Sequence, residues 1–172
     1  IIVTGSLGDS SAGLEVLKKR EDAGRGYKYL KKRHLMPIPR VDEGRFLATN
    51  KLATSMIDIS DGLLSDLSHI LDESGVGAEL FLDKMPISAS LRRYAARVGA
   101  SPLRFALSGG EDYELLFTAS KASTQKVVGS PLLTKTGVSV IGRITKDKGI
   151  RWAGDYKIEE EALKGYDHFK AR

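Results

Sequence analysis

Asp58 and Asp61 are the two carboxylates whose spacing most plainly invites chemistry, with only Ile59 and Ser60 between them. Ser55 to Ile59 reads as a short strand, and Asp61 to about Glu73 reads as a helix. Leu63, Leu64, Leu67, Ile70 and Leu71 fall on one face of that helix, and Gly75 is a suitable stop. The pair therefore stands where a strand gives way to a helix, so both carboxylates can reach the same mouth of a sheet. Magnesium takes hard oxygen ligands, commonly one or two carboxylates plus substrate phosphate, and a helix N-terminus offers N–H groups to that phosphate. A plainer account uses the same residues: Asp61 complements the helix dipole, Asp58 solvates a strand end, and Ser60 caps the helix. Local chemistry leaves both open.

A second constellation is Ser108-Gly109-Gly110-Glu111-Asp112-Tyr113-Glu114. Two glycines allow backbone angles closed to other residues, so the loop can hold Glu111 at a cleft just before a strand. An ordinary solvated turn flanked by acids would look the same. If the strand begins early, alternation places Asp112 with Glu114 on one face and Glu111 with Tyr113 on the other.

Other chemistries are excluded or unsupported. No cysteine is present, which removes disulfides, thiolate zinc sites and cysteine nucleophiles and fits a reducing cytoplasm. His34, His69 and His168 are too scattered for zinc spacing, and His69 lies on the polar side of its helix. No glycine loop is followed by Lys-Ser/Thr, Gly5 to Gly8 does not fit a dinucleotide fingerprint, and no nucleophile elbow occurs.

The elements that must position these residues alternate between strands and helices. Ile1 to Thr4 is a β-branched strand, followed by the turn Gly5-Ser6-Leu7-Gly8. Asp9 and Ser10, both good N-cap types, lead into a helix carrying Leu14, Val16 and Leu17. A helix over Tyr27 to Arg33 ends before Pro37 and Pro39, which favour an extended connection, and another covers Gly44 to Leu52. Ala78, Leu80 and Leu82 alternate as in a half-buried strand. A helix near Ala89 to Val98 and a helical turn at Leu103 to Leu107 follow. Tyr113 to Thr118 and Val138 to Ile144 read as strands with a poorly patterned helix between them. The pattern predicts an α+β fold, a mixed sheet covered by helices.

The 172 residues, 41% hydrophobic, suffice for one core, and no repeat or linker marks an internal boundary. No apolar run approaches the roughly 20 residues that span a bilayer, and no basic region opens a signal peptide. With no initiator Met and no polar lead-in before Ile1, residue 1 is expected to lie inside a larger protein. The net charge of +5 is uneven, since Lys18 to Arg40 holds nine Lys/Arg. Such a run is either a solvated helix face or a nucleic-acid surface. Only Tyr27 and Tyr29 interleave it, thin support for base stacking.

Five strings taken in order resemble thiamine-monophosphate kinase: Val3-Thr-Gly-Ser-Leu-Gly-Asp-Ser-Ser-Ala-Gly-Leu14, Arg33-His-Leu-Met-Pro-Ile-Pro-Arg40, Met56-Ile-Asp-Ile-Ser-Asp-Gly-Leu-Leu-Ser-Asp-Leu67, Ala106-Leu-Ser-Gly-Gly-Glu-Asp-Tyr-Glu-Leu-Leu-Phe117 and Gly165-Tyr-Asp-His-Phe169. The wider superfamily includes aminoimidazole-ribonucleotide synthetase and selenophosphate synthetase. The resemblance implies the C-terminal domain fold of that superfamily over residues 1–172, with an N-terminal metal- and ATP-binding domain absent from this chain. It implies ATP-dependent phosphorylation of thiamine monophosphate to thiamine diphosphate in the cytoplasm, by a homodimer when full length, with no membrane or nucleic-acid partner. By position, Asp58 and Asp61 become Mg2+ ligands, Ser60 a nucleotide contact, Glu111 a contact to the thiamine moiety, and Tyr166 an aromatic substrate contact suited to a cationic ring. A ribonucleotide synthetase of the same superfamily is the near alternative. A noncatalytic basic module that binds nucleic acid is the distant one.

Overall fold

The computed structural model describes residues 1–20 and 24–154. The chain runs through β1 (Ile2–Thr4), α1 (Asp9–Lys18), α2 (Gly24–Leu35), α3 (Val41–Thr49), β2 (Ser55–Asp58), α4 (Leu63–Ser74), β3 (Gly77–Leu80) and a 3-10 turn at Leu82–Lys84. Then come α5 (Ala89–Val98), α6 (Pro102–Ser108), β4 (Leu115–Thr118), α7 (Lys121–Val128), α8 (Pro131–Thr136), β5 (Val138–Val140), β6 (Gly142–Thr145) and β7 (Gly149–Trp152).

The strands form two sheets instead of one. The larger has the order β2-β4-β1-β5 with every pair antiparallel, and the smaller has β6-β3-β7, in which β3 is antiparallel to β6 and parallel to β7. The stretch read as one strand from Val138 to Ile144 is split by Ile141. This fully buried residue donates its N–H to the Ile1 carbonyl and accepts from the Phe81 N–H, so the chain steps from one sheet to the other there. Gly142 makes the step fit, since a Cβ there would press on the Glu79 carbonyl. The fold class holds, and the mixed pairing is confined to the smaller sheet.

Period-two alternation in the larger sheet sends side chains to two separate cores. Val3 and Leu116 join Leu63, Leu67 and Leu71 of α4 on one face, while Ile2 and Phe117 pack with Leu47 of α3, Val127 of α7 and Leu133 of α8 on the other. A third cluster joins Val16, Leu30, Leu91, Tyr94 and Phe105 among α1, α2, α5 and α6. Burial on this scale, about 25 cal/mol per Å² of apolar surface, is what holds such short strands.

Several boundaries shift for local reasons. Helix α3 starts at Val41, earlier than the periodicity places it, because Asp42 and Glu43 then occupy its first turn and favour the positive end of the dipole. The poorly patterned helix is two helices, the second opened by Pro131 at its first turn. Strand β7, with Ile150 and Trp152 packed toward the α4 core, escaped the sequence reading. From the last residue of α2 to the first of α3, Leu35, Met36, Ile38 and Val41 are each more than half exposed, a run of large apolar side chains along a proline-stiffened connection.

Candidate functional site

The two acid-bearing motifs are joined by backbone. Pairing of β2 with β4 continues past its last strand residues: Ile59 N–H donates to the Glu114 carbonyl at 2.8 Å, Tyr113 N–H to Ile59 at 2.9 Å, and Glu111 N–H to Ser60 at 2.8 Å. Glu111 and Tyr113 do this with φ of 62° and 50°, angles uncommon for residues other than glycine. Two close approaches make the junction tight. A Cβ on Gly110 would collide with the Ser60 carbonyl, and one on Gly62 would stand 2.9 Å from the Ser108 carbonyl.

Beside this junction lies a cleft of about 630 Å³ lined by residues of five segments: Ser11 and Leu14 of α1, His34 of α2, Ser60 and Asp61, Ser108 at the end of α6, and the loop through Gly109, Gly110, Glu111 and Tyr113. The structure therefore brings Ser60, Asp61 and Glu111 to one cavity. Asp58 is exposed at the end of β2 and does not line that cavity. Tyr166 lies outside the described residues.

Both helix N-termini at the cleft are served by buried carboxylates. In α4, Asp66 accepts from the N–H groups of Ser60, Asp61 and Gly62 at 3.0, 3.2 and 3.2 Å. The expected Ser60 cap is thus replaced: the helix begins at Leu63 after Gly62, which has φ 113° and makes no side-chain cap. Those three N–H groups are also committed to Asp66, so they do not form an open seat for a phosphate. Burial raises the Asp66 pKa, with the three N–H bonds pulling the other way.

In α1 the cap comes from across the molecule. Asp112 accepts from Gly8 N–H at 2.5 Å and Ser10 N–H at 3.0 Å. Asp9 and Ser10 therefore lie inside the first turn and are not caps, and Asp9 accepts hydroxyls from Ser6, Tyr29 and Ser88. Burial pushes the Asp112 carboxyl up to about 7, against the two N–H bonds that favour the carboxylate.

Behind the loop sits a second ionic group. Glu114, fully buried, accepts from Arg33 Nη2 at 2.8 Å, from Arg40 Nε and Nη2 at 2.7 Å each, and from Thr4 Oγ1 at 2.7 Å. Two of the nine cations in the basic run are thus turned inward, which shortens any surface that run offers to nucleic acid. The Glu114 bond pushes the Arg40 guanidinium pKa upward. On the cleft side, Glu111 Oε2 is 3.6 Å from His34 Nδ1, and that nitrogen is 3.0 Å from Ser10 Oγ.

The carboxylates of Asp58 and Asp61 have the donor chemistry magnesium prefers. Among the described residues, no group of three or more His, Asp or Glu gathers to hold a metal by itself. That is compatible with a cation held by two carboxylates, phosphate oxygens and further ligands. The sequence reading missed Asp66, Asp112 as a cap, His34 at the cleft, and the Glu114–Arg40 pair. For Asp66 the signal was present, a carboxylate in the first turn of a helix. Partners 74 residues apart, like Arg40 and Glu114, leave no local signature.

The chain matches the family described as AIR synthase related protein, C-terminal domain, over residues 1–153. It is similar to the thiamine-monophosphate kinase of Escherichia coli strain K12, 43% identical over 98% of this chain and 52% of that one. It is also similar to the thiamine-monophosphate kinase of Aquifex aeolicus, 38% identical over 98% of this chain and 51% of that one. A solved structure of AaThiL complexed with AMPPCP and TMP superposes with a TM-score of 0.83 at 38% identity, covering 98% of this chain and 50% of that one. The chain spans about half the length of the curated relatives it matches.

Proposed function

We propose, from the premise that this chain belongs to the family of AIR synthase related proteins, C-terminal domain, that it is the C-terminal part of a thiamine-monophosphate kinase. The full protein uses ATP to convert thiamine monophosphate to thiamine diphosphate. One observation carries the reading: the loop that presents Glu111 is hydrogen-bonded to the Ser60 carbonyl of the aspartate pair, so a polyphosphate and its acceptor can share one cleft. The solved AaThiL, complexed with AMPPCP and TMP, supports the same pairing of ligands. This chain supplies one wall of the site. An N-terminal domain of the same protein, in a homodimer, supplies the remaining metal and nucleotide contacts.

Phosphoryl transfer is governed by positioning and by neutralising the charge of the transferred group. Asp58 and Asp61 hold magnesium, which when bound offsets phosphate charge. Ser60 contacts the nucleotide. The N–H groups of Ser60, Asp61 and Gly62 are occupied by Asp66, and the Ser11 and Ser108 hydroxyls donate to the Gly8 and Arg104 carbonyls, so the Ser60 hydroxyl is the one assigned to phosphate oxygens in the cleft. Glu111 faces the cationic thiamine moiety, and Tyr166 is assigned to it by motif position. The acceptor phosphate is ionised near neutral pH, so no general base is required and no covalent intermediate with the protein forms. A cytoplasmic setting accords with this chemistry, and no described helix is long and apolar enough to cross a membrane.

The test is to supply ATP, magnesium and thiamine monophosphate to the full-length protein and, separately, to residues 1–172. Thiamine diphosphate should form only with the full-length protein, and full-length-like turnover by the shorter chain would show that the shared-site reading is wrong. Asp61→Asn in the full-length protein should lower activity at limiting magnesium by at least about tenfold while leaving the unfolding midpoint close to wild type.

A further inference from the structure

Glu111 is 57% exposed at its side chain and stands on a left-handed backbone position, so little packing fixes where its carboxylate points. The contacts around it close a ring. Asp112, next in the chain, accepts from the Ser10 N–H at 3.0 Å. Ser10 Oγ is 3.0 Å from His34 Nδ1, and the same Nδ1 is 3.6 Å from Glu111 Oε2. His34 is 15% exposed at its side chain and contributes to the cleft wall, where it is the one imidazole or cationic side chain among the described lining residues. Nδ1 has the Ser10 hydroxyl at hydrogen-bond distance behind it and the Glu111 carboxylate just beyond that distance in front, so a small rotation of the exposed Glu111 side chain brings its oxygen to a proton on Nδ1.

Resting on the assignment of Glu111 to the thiamine moiety, we infer that His34 is a positioning residue for substrate recognition. It holds the Glu111 carboxylate against the wall formed by α1 and α2, at the place where the cationic ring arrives. The ring of contacts explains why a carboxylate on an exposed glycine loop can act as a defined counter-charge. Its backbone is pinned at Ser60, its neighbour Asp112 is pinned to α1, and its side chain is met by an imidazole that α1 itself orients. The ring meets the aspartate pair through the Glu111 N–H on the Ser60 carbonyl, a backbone bond that a side-chain change at His34 leaves in place, so KM for ATP should be indifferent to His34.

The experiment is a double-mutant cycle in the full-length protein, reading KM for thiamine monophosphate and KM for ATP separately. His34→Ala should raise KM for thiamine monophosphate about fivefold, the size expected when one partly exposed polar contact to a carboxylate is lost, and leave KM for ATP within about twofold. His34→Asn, whose amide nitrogen replaces the Nδ1 donor, should restore most of the loss. In a Glu111→Ala background, His34→Ala should add nothing further. Equal rises in both KM values, failure of Asn to rescue, or full additivity with Glu111→Ala would each overturn the positioning role while the kinase reading stands. Wild-type protein with no turnover of thiamine monophosphate would instead remove the reading on which the inference rests, and the inference with it.

Discussion

The four residues Glu111, Asp112, Tyr113 and Glu114 form one stretch with two unlike sides. Asp112 and Glu114 point inward and are almost wholly excluded from solvent, each with at least two hydrogen-bond partners drawn from α1, α2, β1 or the connection to α3. Glu111 and Tyr113 point to the cleft, where Glu111 is open to water and meets His34 at 3.6 Å. The inward side fixes the loop through interactions between parts of the chain 74 to 110 residues apart. The outward side is left with reach. A binding surface of this kind gains definition from what lies behind it, since a charge presented on rigid backbone needs no reorganisation when its counter-charge arrives.

The sharpest way to break the contrast is at Glu114. Glu114→Ala leaves the Arg33 and Arg40 guanidiniums without their shared carboxylate in a poorly solvated place, and should cost about 3–5 kcal/mol of unfolding free energy, measured by denaturant titration. A loss under about 1 kcal/mol would mean that the inward side does not carry the loop. Asp66→Ala is next, removing the acceptor of three N–H groups beneath Ser60 and Asp61, with an expected cost of about 1–2 kcal/mol.

Glu111→Gln should behave oppositely. Stability should change by no more than about 0.5 kcal/mol, while the full-length protein loses affinity for thiamine monophosphate and keeps nucleotide binding. Equal loss of both affinities would make Glu111 structural, like its inward neighbours. The last effect is read as a slope and not as a single loss. The folded Asp112 carboxyl is raised to about 7 against an unfolded value of about 3.9, so the folded state holds more protons in that window and stability falls as pH rises from about 4 to about 7. Asp112→Asn should flatten that part of the melting-temperature profile, and an unchanged slope would deny Asp112 its raised pKa.

The same division separates what could be read from sequence. Helices α4 and α5 were legible because their apolar periodicity survives in a single local stretch, and α5 spans Ala89–Val98 as the pattern predicts. The inward and outward alternation of residues 111–114 was legible too, although β4 begins only at Leu115 and the preceding residues depart from strand angles. Asp61 and Glu111 were singled out by type and spacing and Ser60 by its place in the family motif, and the three line one cleft, whereas Asp58, picked by the same spacing as Asp61, stands outside it. What escaped depends on distant partners. The Asp112 cap on α1 spans 102 residues to Ser10, and the division between sheets turns on Ile141, a single residue whose hydrogen bonds go to Ile1 and Phe81. Periodicity carries no trace of either.

The apolar run between α2 and α3 has a mechanical consequence. Arg33 near its start and Arg40 near its end both grip Glu114, and Pro37 and Pro39 fix two of the backbone angles between them. Leu35, Met36 and Ile38 therefore ride on a strut clamped at both ends. A flexible loop of this length would surrender about 1–2 kcal/mol of backbone entropy per residue on being ordered against another surface. Here that ordering has already happened on folding, so burying the run releases its hydration water with little further loss of chain freedom.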